Sequence, residues 1–165
     1  MKKLLLLLLL FTPILFLISC SSGSSEIAPN TYSVEGVWDA DSYLFNGQQM
    51  LTNNLEISLF MCEEDNSWAL SITDYLGGFS AIAGSYSITS DQSGGIFTSL
   101  YLWDDYDMVF YPMTASYNTV TINKLDINEL DITVEDEDGN IEIIKTVKTL
   151  TDPCGSAILT NFQNN

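Results

Sequence analysis

The sequence predicts an all-β fold, an antiparallel up-and-down sheet of eight or nine strands, on three observations. Beyond Tyr32 the chain is a succession of short runs that alternate or are rich in β-branched and aromatic residues. Turn chemistry separates the runs at hairpin spacing, at Asn46-Gly47, Glu63 to Ser67, Leu76-Gly77-Gly78, Ser90 to Gly95, Asp104 to Asp107 and Asp138-Gly139. No segment sustains a helical period, and Ser156 to Phe162 has room for one turn at most.

The expected strands follow in order. Val34–Phe45 runs up to the Asn-Gly turn. In Leu55–Cys62, Leu55, Ile57, Leu59 and Met61 share one side with Glu56 and Ser58 opposite, the alternation of a half-buried strand. Trp68–Asp74 and Phe79–Thr89 are β-rich runs flanking the Gly77-Gly78 turn. Ile96–Trp103 is apolar on both sides, with Ile96, Leu100 and Leu102 on one and Phe97, Tyr101 and Trp103 on the other; Met108–Met113 is similar. Thr119–Leu125 follows. In Leu130–Glu135, Leu130, Ile132 and Val134 oppose Asp131, Thr133 and Glu135, and the Asp-Gly turn leads into Ile141–Leu150. A wall that is apolar on both faces suits a closed barrel with contents, a strand pair covered by a partner, or the central strand of a sandwich.

Composition excludes several functions. The 165 residues contain no His and no Arg. Without imidazole there is no Ser–His or Cys–His nucleophile and no His-liganded metal. From Cys20 onward Lys124, Lys145 and Lys148 stand against 22 acids, a formal charge of 3 − 22 = −19. That field repels nucleic acid. No Ser precedes any of these lysines by three residues, so the Ser-x-x-Lys arrangement is absent. Among so many carboxylates no pair is marked out for glycoside hydrolysis. The expectation is a protein that is not an enzyme and uses no cofactor.

The N-terminus reads as a leader. Lys2 and Lys3 form a basic start, and the apolar stretch from Leu4 to Ile18 is shorter than the roughly 20 residues a bilayer span needs. It ends in Leu17-Ile18-Ser19-Cys20, which resembles the lipobox of bacterial lipoproteins. The resemblance implies a signal peptide over 1–19, cleaved before Cys20, with palmitate-type acyl chains on that cysteine. Such chains bury methylenes worth about 0.8 kcal/mol each, so the expected anchor is stable. Ser21, rather than Asp, follows the cysteine, which in such proteins accompanies passage to the outer membrane. Residues 20–31 read as the lipidated cysteine and a flexible Ser-rich tether, and 32–165 as one folded domain.

Gly36-Val37-Trp38, at the opening of the first strand, resembles the Gly-x-Trp motif of the lipocalins and of lipocalin-like domains in bacterial lipoproteins. The resemblance extends loosely over most of the chain after Tyr32 and implies a lipocalin-like barrel holding a small apolar or amphipathic molecule. In that family the tryptophan closes one barrel end and usually stacks on an arginine. Lacking arginine, this chain would use Lys145 or Lys148, or have a different plug.

Cys62 and Cys154 are the remaining thiols. Outside the cytosol two cysteines favour a bridge, with two free buried thiols as the alternative; many lipocalins tie their C-terminal segment to the barrel in this manner. The acid runs Glu63 to Asp65, Asp104 to Asp107 and Glu135 to Asp138 lack EF-hand spacing and read as solvated turns, so no metal is expected. Of the many rings, Tyr101, Trp103, Phe110 and Tyr111 sit on the strands apolar on both faces and are the expected pocket. The alternative function rests on charge: an acidic envelope protein that captures a basic protein partner, or a subunit of a surface assembly.

Overall fold

The computed structural model describes residues 32–105, 107–156 and 158–160. The leader, Cys20 and the tether lie outside the described residues. Nine strands form: β1 Gly36–Phe45, β2 Gln48–Gln49, β3 Leu55–Cys62, β4 Ser67–Asp74, β5 Phe79–Ile88, β6 Gly94–Asp104, β7 Val109–Leu125, β8 Glu129–Glu135 and β9 Ile141–Leu150. Consecutive strands from β3 to β9 pair antiparallel, and β1 pairs with both β3 and β9. This closes an eight-stranded up-and-down barrel, with β2 as a short extra strand on β1 beyond the Asn-Gly turn. Closure satisfies the backbone of both edge strands at once and leaves an interior whose contents side chains decide.

The alternation read from the sequence places Leu59 and Met61 of β3, Leu130, Ile132 and Val134 of β8, and Trp38 of β1 in one interior cluster. The turns carry the backbone that their residues allow. Asn46 and Gly47 both have positive φ (48° and 79°), as a two-residue hairpin turn with the right twist requires. Asp136 Oδ1 accepts from the backbone N–H groups of Asp138 and Asn140, which folds the β8–β9 turn around one carboxylate.

Two expectations need correction. Met108–Met113 and Thr119–Leu125 are not separate strands: both belong to β7, which runs for 17 residues. The join is irregular, since Ser99 faces Ser116 but Tyr101 faces Pro112, so β7 carries extra residues between 112 and 116. Small residues there (Thr114, Ala115, Ser116) absorb the bulge where a turn would otherwise be read.

The second correction concerns β6. Ala83 pairs with Tyr101 and Gly84 with Ser99, so Leu100 is an extra residue in that ladder. An extra residue inverts the alternation. Phe97 therefore faces the interior, while Tyr101 and Trp103, expected on the same side as Phe97, pack outside. Gly84 marks the crossing: a Cβ there would lie 1.8 Å from the Thr98 carbonyl oxygen.

The outer face of β3 to β7 holds a second apolar cluster containing Ala69, Ala81, Ala83, Phe110 and Leu159. The C-terminal segment after β9 lies across it. Alanines at three wall positions leave room for the segment to sit close, and Leu159 and Pro153 are fully buried. Cys62 on β3 and Cys154 form a disulfide, with Cα atoms 5.0 Å apart, that pins this strap. A single helical turn, with Thr160 N–H donating to Ser156 O, ends the described residues, in agreement with the one turn expected there.

Candidate functional site

The two barrel ends differ. At one end Trp38 is fully buried and its Nε1–H donates to Val34 O at 2.9 Å. Lys148 Nζ stands 4.7 Å from the ring centroid, so a lysine takes the place that the family resemblance gives to arginine. Gly36 makes the contact possible, because a Cβ there would come within 2.5 Å of Lys148 Cε. Gly36 and Trp38 therefore form a barrel-end plug.

Above this plug the interior is not filled. A cavity of about 240 Å³ lies between the walls. Its apolar lining includes Leu59, Leu70, Ile82, Ile132 and Ile144, together with Trp68 and Phe97. The two rings stack with centroids 4.8 Å apart. One side of the cavity is polar, formed by Ser99, Ser116, Asn118, Asp136, Asn140 and Glu142. These residues come from β6, from β7 beyond its bulge, and from the β8–β9 hairpin.

The hairpin side is held rigidly. Asn46 Nδ2 donates to Asn140 Oδ1 at 3.0 Å, and Ile141 N–H donates to Asn46 Oδ1 at 2.9 Å. The β1–β2 and β8–β9 turns are thereby locked together beside the cavity. Asp136 Oδ2 also accepts from Asn140 Nδ2, and these hydrogen bonds hold its carboxyl below the usual carboxylate range. Glu142 is opposite in behaviour: burial pushes its carboxyl above the usual range, the Tyr43 hydroxyl opposes this by donating to it, and the charge of Asp136 adds to the rise. For Tyr43, burial raises the hydroxyl pKa and Glu142 reinforces the shift.

A raised carboxyl pKa means the folded chain keeps the Glu142 proton to higher pH than the unfolded chain, whose value is 4.5. Stability from this group therefore declines as pH rises from there through the raised folded value. Glu142→Gln keeps a carbonyl acceptor for Tyr43 and removes the buried charge. We expect the variant to melt higher than the parent at pH 7, with the gap closing toward about pH 4, where both carry a neutral group. A variant that melts lower at pH 7 would contradict the placement of the carboxyl.

The residues expected to form the pocket are elsewhere. Tyr101, Trp103 and Phe110 belong to the outer cluster under the strap, with Trp103 edge-on to both Phe110 and Phe79 at 5.3 Å. Tyr111 is exposed and its hydroxyl donates to Asp107 Oδ2 at 2.6 Å. None of the four lines the cavity; the register shift in β6 and β7 sends Tyr101, Trp103 and Phe110 outward. Sequence reasoning missed Ser99, Asn118 and Glu142. Ser99 and Asn118 flank the bulges, and Glu142 sits in Ile141-Glu142-Ile143-Ile144, which gives no clean alternation. Cys62 and Cys154 meet as expected.

The acid runs stay on turns. Among the described residues no three metal-ligating side chains converge, and the ion pairs are those of Lys124 with Asp126 (3.5 Å) and Glu129. In comparisons with known proteins, no family model matches the chain and no curated protein matches it.

Proposed function

We propose that this chain is a lipid-anchored binding protein of the cell envelope, held in the outer membrane through Cys20, whose barrel takes a small amphipathic molecule without chemically changing it. The observation that carries the reading is the 240 Å³ interior space, walled by aliphatic and aromatic side chains on one side and polar groups on the other. An apolar interior left open at one end of a plugged barrel gains from an apolar occupant, at roughly 25 cal/mol per Å² removed from water. The absence of His from the sequence supports a role in holding and not in turnover.

Volume limits the occupant. At about 30 Å³ per water the space equals roughly eight waters, which suits a compact ligand. A short alkyl tail contributes about 0.8 kcal/mol per buried methylene, offset by the cost of association. Dissociation constants between micromolar and millimolar follow. Trp68 lies in the wall, so 1-octanol is expected to change tryptophan emission saturably. Ser116→Trp, which places an indole in the space, is expected to abolish that response. Emission that stays constant up to the solubility limit of 1-octanol would overturn the reading.

A further inference from the structure

The polar side of the cavity holds carboxylates, hydroxyls and amides and no cation. Glu142 lines it, and one Tyr43 hydroxyl donates to a carboxylate that has room for several more donors. Asp136 lies on the same side, with its carboxylate committed to the turn but its charge present. No lysine is among the lining residues; Lys148 sits at the plugged end over Trp38. Two further oxygens point the same way. Ser99 is 1% exposed and its Oγ has no hydrogen-bond partner, and Asn118 Oδ1 is also buried without one. Both residues line the cavity. Buried polar atoms are rarely left unpaired, so such oxygens facing a cavity call for a donor that arrives with the occupant.

We infer that the cavity selects a compact primary amine, its ammonium group donating to Glu142, Asn118 and Ser99 and its apolar body lying against Trp68, Phe97 and the aliphatic wall. An ammonium carries three donors and no acceptor, which suits a cavity whose lining offers the oxygens of Glu142, Asn118 and Ser99. It also supplies the counter-charge that the buried carboxylate lacks, and aromatic walls attract cations. A fatty carboxylate of the same length meets the reverse: like charge from Glu142 and Asp136, and only neutral hydroxyl and amide donors to replace its hydration. The inference deepens the binding role proposed above and rests on it.

The test compares three probes of one tail length, octylammonium, 1-octanol and octanoate, by calorimetry on the folded chain in about 150 mM salt, where the long-range pull of the acidic surface is screened. Octylammonium is expected to bind at least tenfold tighter than 1-octanol, and octanoate weakest of the three. Glu142→Gln is expected to reduce the octylammonium-over-octanol preference at least tenfold. Glu64→Gln removes the same charge from the exposed β3–β4 turn and is expected to leave the preference intact. Octanoate binding as tightly as octylammonium, or a preference unmoved by Glu142→Gln, would overturn the amine inference while leaving a binding barrel. Failure of all three probes would overturn both.

Discussion

Replacing both bridge cysteines, Cys62→Ser with Cys154→Ser, is expected to destabilise the barrel more than any other paired change to its surface. The bridge joins positions 92 residues apart, and closing a loop of that size is worth about 4–5 kcal/mol in the chain-entropy account. For a domain of this length that is a fall in melting temperature on the order of 10–20 °C. The consequence is also local. The strap carrying Pro153 and Leu159 covers Phe110 and the three wall alanines, so its release bares an apolar face on the outside of β3 to β7. Thermal melts with and without reductant check this. The variant and the reduced parent are expected to melt alike, and both well below the oxidised parent. A parent whose melting is indifferent to reductant would show that the strap holds by packing alone.

The second large effect belongs to Trp38. Its ring is fully enclosed, and it carries both the Val34 hydrogen bond and the Lys148 contact. Trp38→Ala is expected to cost about 3–5 kcal/mol, the range for removing a large buried aromatic. Trp38→Phe keeps a ring beneath Lys148 and loses the Nε1 donor, leaving Val34 O unpaired, so a smaller loss of about 1–2 kcal/mol follows. Lys148→Met keeps most of the aliphatic cover and is expected to cost no more than about 1 kcal/mol. Urea unfolding followed by circular dichroism gives the three values. If Trp38→Ala and Lys148→Met proved equal, the tryptophan would not be the plug.

Those two effects lie where the sequence was legible. The Asn46-Gly47 and Asp138-Gly139 turns are local signals: each states a backbone need that only a few residues meet, and each falls between strands as read. Strict alternation in Leu55–Cys62 and Leu130–Glu135 likewise fixed their inward faces. The cavity was not legible, for one physical reason. Face assignment propagates by parity, and a single extra residue reverses it for everything beyond. Leu100 does this in β6, and the segment 112–116 does it in β7. Three of the four rings assigned to a pocket, Tyr101, Trp103 and Phe110, were thereby displaced to the outer wall, and Ser99 and Asn118 were left unnoticed on the inner one. Nothing in Thr98-Ser99-Leu100 announces a bulge; the pairing partners impose it.

The central claim, that the barrel interior receives a small amphipathic molecule, is tested most directly by titrating methyl-labelled protein with octylammonium and following the side-chain resonances by NMR. The methyls of Leu59, Leu70, Ile82 and Ile132, which face the cavity, are expected to shift together along one saturable curve, while those of Leu159 and Ala83 in the outer cluster under the strap stay fixed. Shifts confined to the outer residues, or none at all, would contradict it.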